Sequence, residues 1–282
     1  MRIAFFVKPE SERSTRSVIP EVARLLSLRG AEVSFLDPAA TVTDLTKLRP
    51  DFDLYVLKAR TSTTLSIAGA LHEAGAAILN PYPVSAACRD KVVASQLLRI
   101  ADVPLPETYV AAAPEQLAPL LDEGPLVVKP HRGSQGRGVR VVRERRDLDG
   151  VDGDGGPLFA QRYHEPIGRD RKIYRIGERI FGVERVWPPR TYEEKLGRPF
   201  PVPPEIRRLA LRLGAALGIT LYGFDLVVTR DGPLVVDFSP FPGFKGVPYA
   251  AALLADYIHD AAVQGAEAES RFASGLKDPV PA

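Results

Sequence analysis

A lysine at the end of an apolar run, followed within a few residues by glycines, is the arrangement in this chain that could do the most chemistry. The segment reads Val127-Val128-Lys129-Pro130-His131-Arg132-Gly133-Ser134-Gln135-Gly136-Arg137-Gly138-Val139. Glycine lets backbone N–H groups approach an anion closely and take positive φ. Successive N–H groups in such a loop form a concave phosphate site, and Lys129 would add a point charge beside it. Gly133, Ser134, Gln135, Gly136 and Gly138 are therefore candidate phosphate-binding residues. Neither G-x-x-x-x-G-K-[ST] nor G-x-G-x-x-G fits, because the lysine precedes the glycines and arrives from a strand. The plainer alternative is a glycine-rich hairpin turn, but such a turn would not need three glycines among Lys129, Arg132 and Arg137.

A second candidate lies about a hundred residues on. Leu221-Tyr-Gly-Phe-Asp-Leu-Val-Val-Thr229 runs through Arg230-Asp231-Gly232 into Pro233-Leu-Val-Val-Asp-Phe-Ser239. A three-residue loop with glycine last is a common hairpin connection. Centred on Asp231, it sets Asp225 opposite Asp237 and Gly223 opposite Ser239. Side chains repeat every two residues, so Asp225, Asp237 and Ser239 share one face. Opposed like charges destabilise a sheet, and a hard divalent cation would relieve them, with Gly223 leaving it room. Mg²⁺ takes one or two carboxylates plus water and phosphate oxygens. Two exposed acidic residues, or pairing to Lys and Arg elsewhere, is the other reading. A one-residue slip in register would undo the pairing.

The elements that must position these groups follow from periodicity. Residues 2–7, 32–36, 53–58 and 76–79 read as strands alternating with helices over 18–29 and 64–73, which implies a small parallel α/β domain. Residues 85–101 read as one helix. Strands follow at 126–129 and 139–142, an antiparallel pair around the glycine loop, and at 158–163. A hairpin over 172–176 and 180–187 turns at Gly177-Glu178. Residues 188–203, rich in proline and charge, read as a mobile connector. Residues 204–217 form a helix stopped by Gly218, and 247–260 a last helix. The expected divisions are 1–85, 86–161, 162–265 and a frayed tail at 266–282.

Composition narrows the class. The 282 residues include 45% hydrophobic and 26% charged residues, as in ordinary globular chains. A net charge of +2 argues against bulk attraction to nucleic acid or membrane. Cys88 is the single cysteine, so no internal disulfide forms and a cytoplasmic setting is natural. No apolar run approaches membrane-spanning length. Lys58 and Arg60 end a strand, where open α/β sheets meet ligands, and Asp170 with Lys172 could be a simple pair of strand charges.

From residue 80 to about 260 these segments, in order, resemble the ATP-grasp superfamily. The resemblance implies an α/β (α+β) architecture: a small parallel α/β N-terminal domain, then two α+β lobes holding ATP between antiparallel sheets. Lys91, in Arg89-Asp90-Lys91, is similar to the first ATP-binding lysine and Lys129 to the second. Gly133–Gly138 resembles the loop over the phosphates, and Gln161, Arg162, Tyr163 and His164 the strand whose backbone meets adenine, some of them lining the site through backbone only. Asp225, Asp237 and Ser239 fall where the family holds one or two Mg²⁺, or Mn²⁺. The last strand departs from the common Glu-x-Asn, since Asp237-Phe-Ser239 offers a weaker third ligand.

Two branches of the superfamily compete. Gly168-Arg-Asp-Arg-Lys172 and Gly182-Val-Glu-Arg185 look like the ribosomal-protein glutamate ligase group, which joins a carboxylate to an amine through an acyl phosphate. Lys172-Ile-Tyr-Arg-Ile-Gly177 and the stretch from Asp237 to Pro248 are similar to the inositol-trisphosphate kinase group. The ligase is the expectation, the kinase the alternative, and a nucleotide-binding regulator without turnover a third. In the ligase, Arg185 and Lys172 are the implied catalytic side chains, with Arg60, Asp170 and Lys245 toward the acceptor. The expected partners are a small anionic substrate, a carboxylate or a phosphate, and, by the resemblance, a second copy of the chain.

Overall fold

The structure, a computed structural model, describes residues 1–8, 14–133, 136, 138–153, 155–186 and 190–264. Three sheets organise it. The first is parallel, in the order β2 (Glu32–Leu36), β1 (Arg2–Phe6), β3 (Leu54–Leu57), β4 (Ile78–Leu79). Alternation along β1 sends Ile3 and Phe5 to one face and Ala4 and Phe6 to the other. Helix α1 (Ile19–Leu28) covers the first face and α2 (Ser62–Glu73) the second.

The run expected as one helix over 85–101 is two. Helix α3 (Tyr82–Ala87) stops, and α4 (Lys91–Ile100) restarts. Asp90 is extended and its carboxylate accepts the Val92 N–H at 2.9 Å, so an N-cap interrupts the helix. The break makes Lys91 the first residue of α4.

The second sheet is antiparallel, in the order β5 (Thr108–Ala111), β8 (Leu158–Arg162), β6 (Leu126–Pro130), β7 (Arg140–Val142). Its own core includes Leu117, Leu126, Val128 and Leu158. Strand β5 escaped the sequence reading because four residues between proline clusters carry little periodic signal.

The third sheet is also antiparallel: β11 (Arg198–Phe200), β10 (Arg179–Arg185), β9 (Asp170–Ile176), β12 (Leu221–Thr229), β13 (Gly232–Ser239). Helix α6 (Pro204–Leu217) packs on it through Ile206, Leu209, Ala210, Leu213 and Leu217, and ends at Gly218 in the left-handed conformation. The segment expected as a mobile connector is ordered over its described residues 190–203. Thr191 and Glu194 form a capping box for α5 (Tyr192–Leu196), and β11 then pairs with β10 as an edge strand.

The last helix, α7 (Ala250–Gln264), does not stay with the third sheet alone. Leu254, Ala255, Ile258 and Ala262 share one core with Ile3, Phe5, Ile19, Val22 and Leu26 of the first sheet and with Tyr174, Ile176 and Leu221 of the third. The boundary expected near residue 85 therefore separates segments of sequence but not hydrophobic cores. The tail at 266–282 lies outside the described residues. No helix among the described residues is long and apolar enough to cross a membrane.

Candidate active site between two antiparallel sheets

An open cleft, about 380 Å³ counting the space that opens to solvent, separates β8 from β13, with α4 along one side. Leu98, Leu105, Phe159, Val235 and Phe238 give it apolar walls, and Lys91, Gln161 and Asp237 line it with polar groups. Apolar walls with a few placed polar groups suit a flat heterocycle. The sequence reading missed these walls, although the period of a strand was enough to find one. Phe159 and Gln161 share a face of β8, so Arg162 must lie on the other.

Arg162 does lie there, buried, donating to the carbonyls of Leu120 at 2.9 Å and Gly124 at 2.6 Å and to Glu123 at 2.9 Å. Its expected place against the nucleotide is thus corrected: the side chain braces the outer side of the second sheet. Tyr163 donates its hydroxyl to Glu165 and stacks under Arg143, 5.2 Å from the ring centroid. His164 is partly exposed, and neither residue lines the cleft.

Lys129 crosses from one lobe to the other. Its ammonium donates to Gln161 Oε1 at 2.8 Å and to the Val236 carbonyl at 2.9 Å. That carbonyl is free because of a β-bulge. β12 and β13 meet through a two-residue turn, Arg230-Asp231, rather than the three-residue loop expected. The register then shifts by one between Asp225 and Leu226, leaving Val236 outside the ladder. The turn and the bulge compensate, so Asp225 still opposes Asp237 and Gly223 still opposes Ser239. Burial lowers the Lys129 pKa to about 8, Asp237 opposing the shift and Lys91 adding to it.

Lys91 donates to the Gly133 carbonyl at 2.8 Å and stands 3.5 Å from Asp237. The cation thus ties the glycine loop to the carboxylate hairpin. Gly136 and Gly138 both have φ near +70°, and a Cβ on Gly138 would meet Pro130 Cγ at 2.8 Å. The Gly133 N–H is already donated to the Pro130 carbonyl. Gly133 therefore shapes the loop and does not present a free amide. Ser134 and Gln135 lie outside the described residues.

At the other end of the cleft Asp225 accepts from Lys172 at 2.8 Å and from Arg185 at 3.1 Å. Burial would lower the Lys172 pKa, but Asp225 and Tyr174 together outweigh it and raise it. Burial would likewise raise Asp237, but Lys91, Lys129 and Lys172 hold its pKa below the usual carboxylate range. Asp170 goes the other way. Burial and the charge of Asp225 push it up to about 6, Arg185 opposing.

Arg60 reaches the hairpin from the first sheet and donates to Ser239 Oγ at 3.2 Å. Lys58 donates to the carbonyls of Phe241 and Pro242 at 2.9 and 3.0 Å. Burial, then Arg60, Lys172 and Lys245, bring its pKa down to about 7. Cys88 borders the cleft as an inert thiol, its pKa pushed up to about 12 by burial. Gly223 does not hold room for a metal as expected. A Cβ there would meet Tyr174 Cδ1 at 2.9 Å and Pro242 Cγ at 3.0 Å, so the space is packed.

The donor set suits a hard cation shared with a ligand. Two opposed carboxylates supply oxygen ligands, and among the described residues no cluster of three or more His, Cys, Asp or Glu could form a closed protein cage. Ser239 is engaged by a guanidinium, which makes it a poor third ligand.

Comparison with known proteins agrees with this geometry. A RimK-like ATP-grasp domain model matches residues 88–258. A probable alpha-L-glutamate ligase 2 of Shewanella sp. (strain MR-4) is 26% identical over 279 residues, spanning 89% of this chain and 92% of its own. The fold is shared with a RimK domain ATP-grasp protein from Sphaerobacter thermophilus DSM 20745, at 19% identity and a TM-score of 0.72, covering 91% of this chain and 99% of that one. It is also shared with D-cycloserine synthetase, at 17% identity and a TM-score of 0.73, covering 93% and 100%. The ligase branch is favoured over the kinase and regulator alternatives, and this chain belongs to the RimK-like ATP-grasp family of ATP-dependent ligases.

Proposed function

We propose that the chain activates a carboxylate with ATP and joins it to an amine, with the cleft dividing the work by its two ends. One observation carries the reading. Among the described residues, Lys58, Arg60, Lys91, Lys129, Lys172 and Arg185 gather around Asp170, Asp225 and Asp237 beside an apolar cleft that Lys91 and Asp237 line. That excess of positive charge suits a polyphosphate together with an anionic acceptor.

Leu98, Leu105, Phe159 and Phe238 would enclose the base, with Gln161 beside it. Lys91 and Lys129 would neutralise the phosphates, under the loop that Gly136 and Gly138 shape. Asp225 and Asp237 would hold Mg²⁺, or Mn²⁺ in its place, which when bound would neutralise phosphate oxygens. The acceptor carboxylate oxygen attacks the γ-phosphorus, and ADP leaves. Lys172 and Arg185, released from Asp225, would carry the charge of the acyl phosphate. The amine nitrogen then attacks the carbonyl carbon, phosphate leaves, and the nitrogen loses one proton. Arg60 and Lys245 would meet the acceptor's anionic groups. Asp170, in its carboxylate form, would take that proton, its raised pKa making it a stronger base than an ordinary aspartate. We place the enzyme in the cytoplasm, where the single buried Cys88 stays reduced.

Phosphorus NMR with ATP, Mg²⁺ and pooled amino acids and small peptides tests the reading. ADP with stoichiometric free phosphate and a new amide is expected. A phosphomonoester signal in place of free phosphate would overturn it. Asp225→Asn should lower turnover by at least about a hundredfold, and equal turnover would remove the metal assignment.

A further inference from the structure

The oxygen donors of the hairpin, on Asp225, Asp237 and Ser239, could serve one divalent ion or two. Arg60 bears on which. It stands between β3 and α2, in a segment anchored at every residue. Lys58 donates to the Phe241 and Pro242 carbonyls at 2.9 and 3.0 Å, and its ammonium lies 5.1 Å from the Phe241 ring centroid. The Ala59 N–H donates to the Phe6 carbonyl at 2.7 Å, and the Arg60 carbonyl accepts from Arg89 Nε at 2.9 Å. The Thr61 hydroxyl accepts the Thr64 N–H at 3.1 Å and so caps α2. From this fixed backbone the Arg60 guanidinium reaches the hairpin and donates to Ser239 Oγ at 3.2 Å. Burial lowers its pKa, Cys88 and Asp237 opposing and Arg89 adding to the shift, but a guanidinium stays charged.

A second divalent ion at Ser239 would have to break that hydrogen bond and settle beside a cation that the backbone holds in place. Repulsion grows with the product of the charges, and a neutral hydroxyl brings nothing to offset it. Asp225 differs, although it too touches cations, Lys172 and Arg185. It carries a full negative charge and two oxygens with lone pairs to spare. An ion can therefore share Asp225 with its neighbours but cannot share Ser239 with Arg60.

We infer that Arg60 stands in for a second metal ion: the site takes a single divalent cation, on Asp225 and Asp237, and the guanidinium supplies the positive charge on the Ser239 side. The inference rests on those two aspartates as the ion's ligands. A guanidinium has five N–H donors, so the one spent on Ser239 leaves others for the acceptor.

Counting Mn²⁺ by electron paramagnetic resonance tests it, on the full chain with an equimolar non-hydrolysable ATP analogue. The sharp signal of free Mn²⁺ reports how much stays unbound during the titration. The parent should bind one Mn²⁺ per chain, with an uncoupled spectrum when frozen. Ser239→Asn, which offers a better ligand but keeps Arg60, should still bind one. Arg60→Ala/Ser239→Asn should bind two, and a pair about 3.5–4 Å apart, as in two-metal sites, should show spin coupling. Two ions in the parent or in Ser239→Asn, or one in a double variant that melts like the parent, would overturn the inference. If the double variant does not fold, the counts for the parent and for Ser239→Asn decide. Asp225→Asn should weaken binding of the single ion by at least about tenfold. Unchanged affinity there would overturn the ligand assignment, and the inference with it. Amide formation is not needed for this readout, so a failed ligation assay and a failed ion count give different results.

Discussion

Lys129 shows how much one side chain can couple. Its pKa of about 8 lies below the ordinary 10.5 because it is buried. Nucleotide phosphates favour the charged form, so affinity for an ATP analogue should fall as pH rises through 8, with proton uptake on binding above it. Lys129→Arg stays charged throughout this range, and its affinity profile between pH 7 and 9.5 should be flat. A variant profile as steep as the parent's would show that another group titrates. Asp170 gives a stability effect of defined sign. Its pKa of about 6 in the fold exceeds the ordinary 3.8, so the folded state holds that proton more tightly than the unfolded chain. Stability is therefore lost as pH rises from about 4 through 6. Asp170→Asn should match the parent's Tm below pH 4 and exceed it above pH 6, read by thermal melts across that range. At this scale period and spacing pointed to Lys129 and the Asp225–Asp237 pair, while Lys91 came only with the family resemblance. The Arg162 side chain, whose direction the same period dictates, faces away from the cleft, and the reading did not reach Leu98 and Leu105, which only tertiary packing brings there.

At the scale of elements, the corrections fall where short polar groups redirect the backbone. Asp90 breaks an otherwise continuous apolar helix pattern. Thr191 and Glu194 start a helix inside a proline-rich stretch, where composition points to a connector. The bulge at Val236 is invisible to periodicity because the shorter turn cancels it. Thr191→Ala should cost about 1 kcal/mol of local stability. Hydrogen exchange over 190–200 should speed up while exchange over the first sheet does not. Gly223→Ala places a methyl group against Tyr174 and Pro242. It should destabilise the hairpin by about 1–3 kcal/mol and lower turnover by displacing Asp225. A denaturant midpoint like the parent's would show that these neighbours yield without cost.

For the whole molecule, fold class and the order of most strands, β5 and β11 excepted, were readable because the helix and strand periods alternate cleanly over most of the chain. What sequence could not show is that α7 closes the core begun by β1, since a burial pattern states that a face is covered but not by what. Leu254→Ala, fully buried in that shared core, should cost about 2–5 kcal/mol. Probes in the first and third sheets should then shift their unfolding midpoints together. Separate midpoints would mean that the two sheets unfold independently.

The shared core also bears on how the protein comes off the ribosome. Ile3, Phe5 and Leu26 are made well before Leu254 and Ile258, which pack into the same cluster. Until the latter emerge, the nascent N-terminal sheet carries an incompletely covered apolar face, the kind of surface that favours aggregation. A trigger for completing the fold therefore sits far downstream of the sheet it covers. Stalled chains that lack residues 250–264 should depend on holding chaperones, whereas full-length chains released from the ribosome should not.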